Sequence, residues 1–368
     1  MFAPSPLASL ASPEHSPEES ARALVVAIKA QVDSRLVEHL ARAKARASGA
    51  SPSAATIVEA IEALVHRGGK RFRPAMTIVG WSACGGGPAH DPPPGVVDVA
   101  CAWELLQAYF LVHDDWMDGD VTRRGGPAVH VALASMHGDA HRGAAAAILA
   151  GDFASALAHR VLLDAALPAA TLHAAAVAFA RVHEDVIFGQ AIDLGLDAAN
   201  GAEIERMHAL KTGSYTVRGP LEVGAILAGA SPDPRAALAR YAAPIGVAFQ
   251  LRDDLLGTFG DERETGKPVG GDLRARKRTS LIGEARARCT DRDAARLDGL
   301  QCEGKTPSDH DVHWAMELLE RCGARAAVER RLDALIAEGV AAALHPSLAR
   351  PAASALAGFA QLLGRRRA

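Results

Sequence analysis

Aromatic residues make up only 4% of this 368-residue chain, and the Ile-, Tyr-, Phe- and Thr-rich runs that build strands are correspondingly scarce. An excess of either charge is missing too: the formal net charge is -3, which argues against a general affinity for nucleic acid, so any anion site must be local. The five cysteines, Cys84, Cys101, Cys289, Cys302 and Cys322, form no C-x-x-C pair and no framework spacing, as expected of free thiols in a reducing, cytoplasmic compartment. No stretch of eighteen residues is both apolar and uncharged, so no membrane span is expected. Residues 1–20 lack the basic start and continuous apolar run of a secretory signal and read as a disordered leader. No repeat is evident.

What remains is rich in Ala, Leu and Val and carries a helical period. Leu24, Ile28, Val32, Leu36 and Leu40 recur at steps of four on one face. A second pattern, Ile57, Ile61, Leu64 and Val65, stops at Gly68-Gly69, and Pro74 opens the next helix. Gly85 to Gly95 is a Gly- and Pro-rich surface loop. Val96 to about Asp118 is apolar on nearly every side, the mark of a central helix. Further helices are expected near 139–166, 170–196, 203–229, 235–259, 277–290, 311–322, 324–343 and 347–363. Thr290 to Asp311 reads as polar and turn-rich. The economical reading is one all-α domain over residues 21–368.

Asp114 and Asp118 lie four residues apart, so on a helix they share one face, with Asp115 to one side. Magnesium uses one or two carboxylates, retained waters and substrate phosphates, which suits that arrangement. Acidic groups at a helix C-terminus also oppose the macrodipole, so their placement costs stability unless a cation binds. A second apolar helix carries Gln250, Asp253 and Asp254, and burying such carboxylates is expensive unless they face a metal or water. Basic residues stand at turn signals: Lys70 and Arg73 after the double glycine, Arg123 and Arg124, Lys211 in Lys-Thr-Gly, and Lys267 in Thr-Gly-Lys-Pro. Two acidic clusters with these cations describe a site for two diphosphates.

In order along the chain, Gly68 to Pro74, His113 to Asp118 with Arg123-Arg124-Gly125, Gly189-Gln190, Lys211-Thr212, Phe249 to Asp254, and Gly260-Asp261 through Thr265-Gly266-Lys267 resemble the trans-isoprenyl diphosphate synthase (polyprenyl synthetase) family over nearly the whole chain. The resemblance implies an all-helical fold around a central cavity, normally in a homodimer. It implies that Asp114 and Asp118 bind two magnesium ions and Asp253 a third, with Asp115 and Asp254 supporting. Arg123, Lys211 and Lys267 would hold an allylic diphosphate; Lys70, Arg73, Gln107 and Arg124 would hold isopentenyl diphosphate. Gln107 lies seven residues before Asp114, two turns down the same face. Gln190 belongs to the substrate set, and Thr212 and Gln250 would stabilise an allylic cation. One departure stands out: Gly257 replaces the last Asp of the second D-D-x-x-D.

The expected activity is head-to-tail condensation of isopentenyl diphosphate with an allylic diphosphate. A terpene cyclase is the alternative on the same fold, and it has no need for Lys70, Arg73 and Gln107. A non-catalytic subunit of a heteromeric synthase is the alternative from another class, and it predicts eroded aspartates. Tyr109 and Phe110, five and four residues before Asp114, form a floor beneath the carboxylates, and the resemblance links such bulk to a short product, farnesyl first and geranylgeranyl next.

Overall fold

The computed structural model describes residues 16–194, 206–261, 269–301 and 307–365. Helix α1 spans Pro17–Ala50, and its start is set by a capping box: Ser16 Oγ accepts from Glu19 N at 3.2 Å while Ser16 N donates to the Glu19 carboxylate at 2.9 Å. Residues 17–20, expected in the leader, are the first turn of α1; residues 1–15 lie outside the described residues. The sequence period is fulfilled, with Ile28, Val32, Leu36 and Leu40 at most 1% exposed.

Helices α2 (Pro52–His66) and α3 (Phe72–Ala83) lead to α4 (Pro94–Met117), in which Gly95 through Leu106 are all buried. A two-residue antiparallel hairpin, β1 (Thr122–Arg123) and β2 (Gly126–Pro127), pairs Thr122 with Pro127. Then follow α5 (Val129–His137), α6 (Ala140–Leu163) and α7 (Ala169–Asp193). Helices α1, α3 and α6 pack against α4, so a single apolar cluster surrounds it.

The Lys-Thr-Gly signal proves not to be a break. Residues Ala209–Arg218 form α8, a π-helix that continues into α9 (Gly219–Leu227), and wide turns of this kind concentrate at functional sites. Gly246 is the glycine that close approach requires: a Cβ on it would stand 3.2 Å from Gly213 Cα. That approach seats α8 on α10 (Pro232–Phe259), which carries Pro244 in its interior. The last elements are α11 (Gly271–Arg274), α12 (Ser280–Arg288), α13 (Asp291–Gln301), α14 (Asp309–Arg321), α15 (Ala324–Ala343) and α16 (Arg350–Arg365). Helix α13 occupies a stretch read as turn-rich. Its polar composition hid it, since Leu297 is its one fully buried side chain among those described.

Candidate active site

Helix α4 ends where its acidic residues begin, with Asp118 as its C-cap. Lys211 on α8 joins two helices there, donating to Asp114 at 3.0 Å and to Asp193 at the end of α7 at 2.5 Å. Burial works against the Lys211 ammonium, but Asp114 and Asp193 hold its pKa above the ordinary lysine range. Gly189 makes the approach possible, since a Cβ there would lie 2.4 Å from Lys211 N. Asp115 points the other way. It is 1% exposed, and its Oδ1 accepts from Arg123 Nε at 2.7 Å and from Arg123 Nη2. Arg123 also donates to Asp120 at 3.0 Å, so its guanidinium is braced by two carboxylates rather than turned to an open site.

Asp118 has its carboxyl pKa raised, first by burial and next by the Asp114 carboxylate, with Lys211 and Lys277 opposing the shift. Two carboxylates crowded this way have a use for a divalent cation. Among the described residues no three His, Cys, Asp or Glu side chains form a preformed cage. A magnesium ion that keeps its waters and takes substrate phosphate oxygens does not need one. The residues present fit that group.

On α10, Gln250 donates to Asp254 at 2.7 Å, and Ser280 N donates to the other Asp254 oxygen at 2.9 Å. Asp254 is 2% exposed; burial pushes its pKa up to about 7 despite those hydrogen bonds, and Asp272 adds to the shift. Asp254 thus anchors α10 to α12, while Asp253 beside it is only half-buried. Gln250 has its amide nitrogen committed to Asp254. The gap left by Gly257 is filled: a Cβ at 257 would stand 1.9 Å from Asp272 Oδ2.

A cluster of cations lies at the α2–α3 loop. Gly68 and Gly69 take φ angles of 89° and 152°, which L side chains rarely adopt, and a Cβ on Gly69 would come 3.2 Å from Arg124 Nη2. Arg71 is 4% exposed and is consumed by structure, donating to Asp33 and Glu104 at 2.7 Å each. Arg73 is different. It donates to Thr216 Oγ1 at 3.0 Å and stands 4.0 Å over the Tyr215 ring, but its Nε is buried without a partner. Arg124 has its pKa lowered by burial against the pull of Glu104, with Arg71, Arg73 and Arg123 adding to the shift. Among the described residues, neither Arg73 nor Arg124 has a carboxylate partner. Lys70 is exposed at the mouth of this loop, Gln107 and Gln190 are half-buried, and Thr212 follows Lys211 on α8.

Tyr109 and Phe110 pack with ring centroids 5.0 Å apart, and Phe110 meets Tyr215 at 5.2 Å. Lys267 lies outside the described residues. Arg365 near the C-terminus pairs with Glu18 at 3.0 Å; Arg366 and Arg367 are outside the described residues. Three residues escaped the sequence reading. Asp193 follows Gln190 by three positions, a same-face spacing that offered a signal; Lys277 and Asp272 gave none, because only the fold brings them to Asp118 and Gly257.

Residues 54–319 match the polyprenyl synthetase family model. The chain is 34% identical over 276 residues to a short chain isoprenyl diphosphate synthase of Methanothermobacter thermautotrophicus, covering 73% of this chain and 78% of that one. It is 38% identical over 261 residues to a (2E,6E)-farnesyl diphosphate synthase of Mycobacterium tuberculosis, covering 70% and 68%. Its fold is similar to the crystal structure of geranylgeranyl pyrophosphate synthase from Corynebacterium glutamicum complexed with isoprenyl diphosphate and magnesium, with TM-score 0.86, 34% identity, and 92% and 99% of the two chains covered. An all-helical frame with paired acidic and cationic sites is that of a prenyltransferase. This chain belongs to the polyprenyl synthetase family.

Proposed function

We propose that this chain condenses isopentenyl diphosphate head-to-tail with an allylic diphosphate and releases diphosphate, with farnesyl diphosphate as its main product. The observation that carries this reading is the pair Arg73 and Arg124, two cations without carboxylate partners among the described residues, beside an acidic site at the end of α4. Burying an uncompensated guanidinium is expensive, and a diphosphate repays that cost. A terpene cyclase has no use for a second anion site.

Asp114, Asp118 and Asp253 would hold magnesium, three ions with substrate bound. The metal supplies charge stabilisation for the leaving diphosphate. Lys211, fixed between Asp114 and Asp193, and Lys267 bind the same leaving group. Arg123, expected to hold the allylic diphosphate, is braced by Asp115 and Asp120 in this structure and acts by positioning the acidic motif. The allylic carbon–oxygen bond breaks, leaving a cation that Thr212 and Gln250 face. The isopentenyl double bond, presented by Lys70, Arg73, Gln107 and Arg124, attacks it and forms the new carbon–carbon bond. The proton then lost goes to the departed diphosphate, so no protein base is required. Tyr109 and Phe110 close the tail cavity and favour the short product. The working unit is a homodimer.

Purified protein incubated with magnesium, isopentenyl diphosphate and allylic primers of rising length tests the reading, with product mass as the readout. The expected result is farnesyl diphosphate from the shorter primers. No condensation with any primer overturns it.

A further inference from the structure

Tyr109 and Phe110 do not stand alone. His183, on α7, meets both rings edge-on: its centroid is 4.9 Å from Tyr109 at 71° and 5.4 Å from Phe110 at 79°. Edge-to-face contacts of this kind fix the orientation of the rings involved. Behind His183 stands His159 of α6, 5.8 Å away, and His159 packs edge-on against Phe179 at 5.3 Å. His183 lies ten residues before Asp193, about 15 Å down the axis of α7 from the residue that holds Lys211. Tyr109 lies five residues before Asp114, about 7.5 Å down α4. The imidazole and the two rings thus meet below the acidic ends of their two helices.

One atom sets His183 apart from ordinary packing. Its Nε2 is buried with no hydrogen-bond partner. An imidazole nitrogen left unpaired in an apolar wall is a cost that a Leu or Phe in the same place avoids. The contacts it makes are with the rings themselves, so its effect is exerted on them.

We propose that His183 is a specificity-determining residue for product length, the prop that holds Tyr109 and Phe110 across the path of the growing prenyl tail. The inference rests on the condensation reading above. It adds a residue from a different helix, outside every motif that led to that reading.

The test is a product-mass assay on His183→Ala, with His183→Val as a milder truncation should the alanine variant fold poorly, each checked by far-ultraviolet circular dichroism. The expected result is a main product one isoprene unit longer than the wild-type product. The variant also elongates an allylic primer of the wild-type product's own length, which the wild type leaves untouched. His183→Phe, which refills the space with a ring, returns the product to wild-type length. A residue that only stabilises the fold changes the melting temperature and total rate while leaving product length alone. Unchanged product length in a folded, active Ala or Val variant overturns the inference. Failure of the wild type to condense any primer overturns the underlying reading instead, so the two failures are distinct.

Discussion

Arg73 shows how a single side chain can be costly in the free protein and useful in the bound one. It is 8% exposed, with one nitrogen paired to Thr216 and its Nε unpaired. Breaking an ordinary buried ion pair costs about 3–5 kcal/mol because a charge is left behind. Arg73 has no such pair to break among the described residues, so Arg73→Met should melt within a few degrees of the wild type when no substrate is present. The same variant should raise KM for isopentenyl diphosphate by about 10- to 100-fold, the equivalent of about 1.5–3 kcal/mol for a lost charge-assisted bond. KM for the allylic primer should move far less. Calorimetry and steady-state kinetics on one preparation check both halves, and a large loss of stability with KM unchanged would make Arg73 a structural residue only. Arg73 was legible in the sequence as a cation after a double glycine. That Arg71, two positions earlier, is spent on Asp33 and Glu104 was not, because those partners arrive from α1 and α4.

At the scale of elements, helices were legible wherever one face repeats. Ile28, Val32, Leu36 and Leu40 of α1 are buried as expected, whereas α13 fully buries only Leu297 among its described side chains and left no period to read. Glycines were the least legible signal: Gly213 looked like a break and is a contact surface for Gly246. Gly257 likewise looked like a lost carboxylate and is the space that Asp272 fills. Restoring the motif with Gly257→Asp should therefore do harm, since its Cβ would meet Asp272 Oδ2 at 1.9 Å. Overpacking of that kind costs about 1–3 kcal/mol. A double variant, Gly257→Asp with Asp272→Gly, should recover most of the loss, and the coupling is read from a double-mutant cycle in urea. A neutral single variant would sink this account. A second joint, between α1 and α4, makes a pH prediction. Asp98 is buried, which opposes ionisation, yet bonds from His39 at 2.7 Å and Arg35 at 2.6 Å lower its pKa to about 2. A lowered carboxylate contributes stability that is present above its unfolded value of 3.8 and lost as pH falls toward 2. That contribution is on the order of 2 kcal/mol. Asp98→Asn should be less stable at neutral pH, and the gap to wild type should close between about pH 4 and pH 2.

At the scale of the whole molecule, two helices among the described residues are long and apolar enough to cross a membrane by length and composition, α4 and α6. The first needs no membrane to explain it, because the chain itself covers α4: 78% of its most apolar window is buried, against 44% for α6. On α6, Ile148 is 38% and Leu149 56% exposed, and on its neighbour α7, Val177, Ile187 and Phe188 are 39%, 47% and 57% exposed. An apolar face of this kind on adjacent helices marks an interaction surface. A second copy of the chain is the partner that completes the proposed homodimer, since a two-fold interface presents the same patch from both sides. The protein should sediment at twice its 38.3 kDa chain mass, and Leu149→Glu with Phe188→Glu should shift it to the monomer while leaving helicity intact. Both positions are exposed, so loss of activity on dissociation would show that the dimer supports the site, and full activity in the monomer would confine its role to stability. Wild-type protein that sediments as a monomer and partitions onto lipid vesicles would overturn the assignment of this face to a second copy.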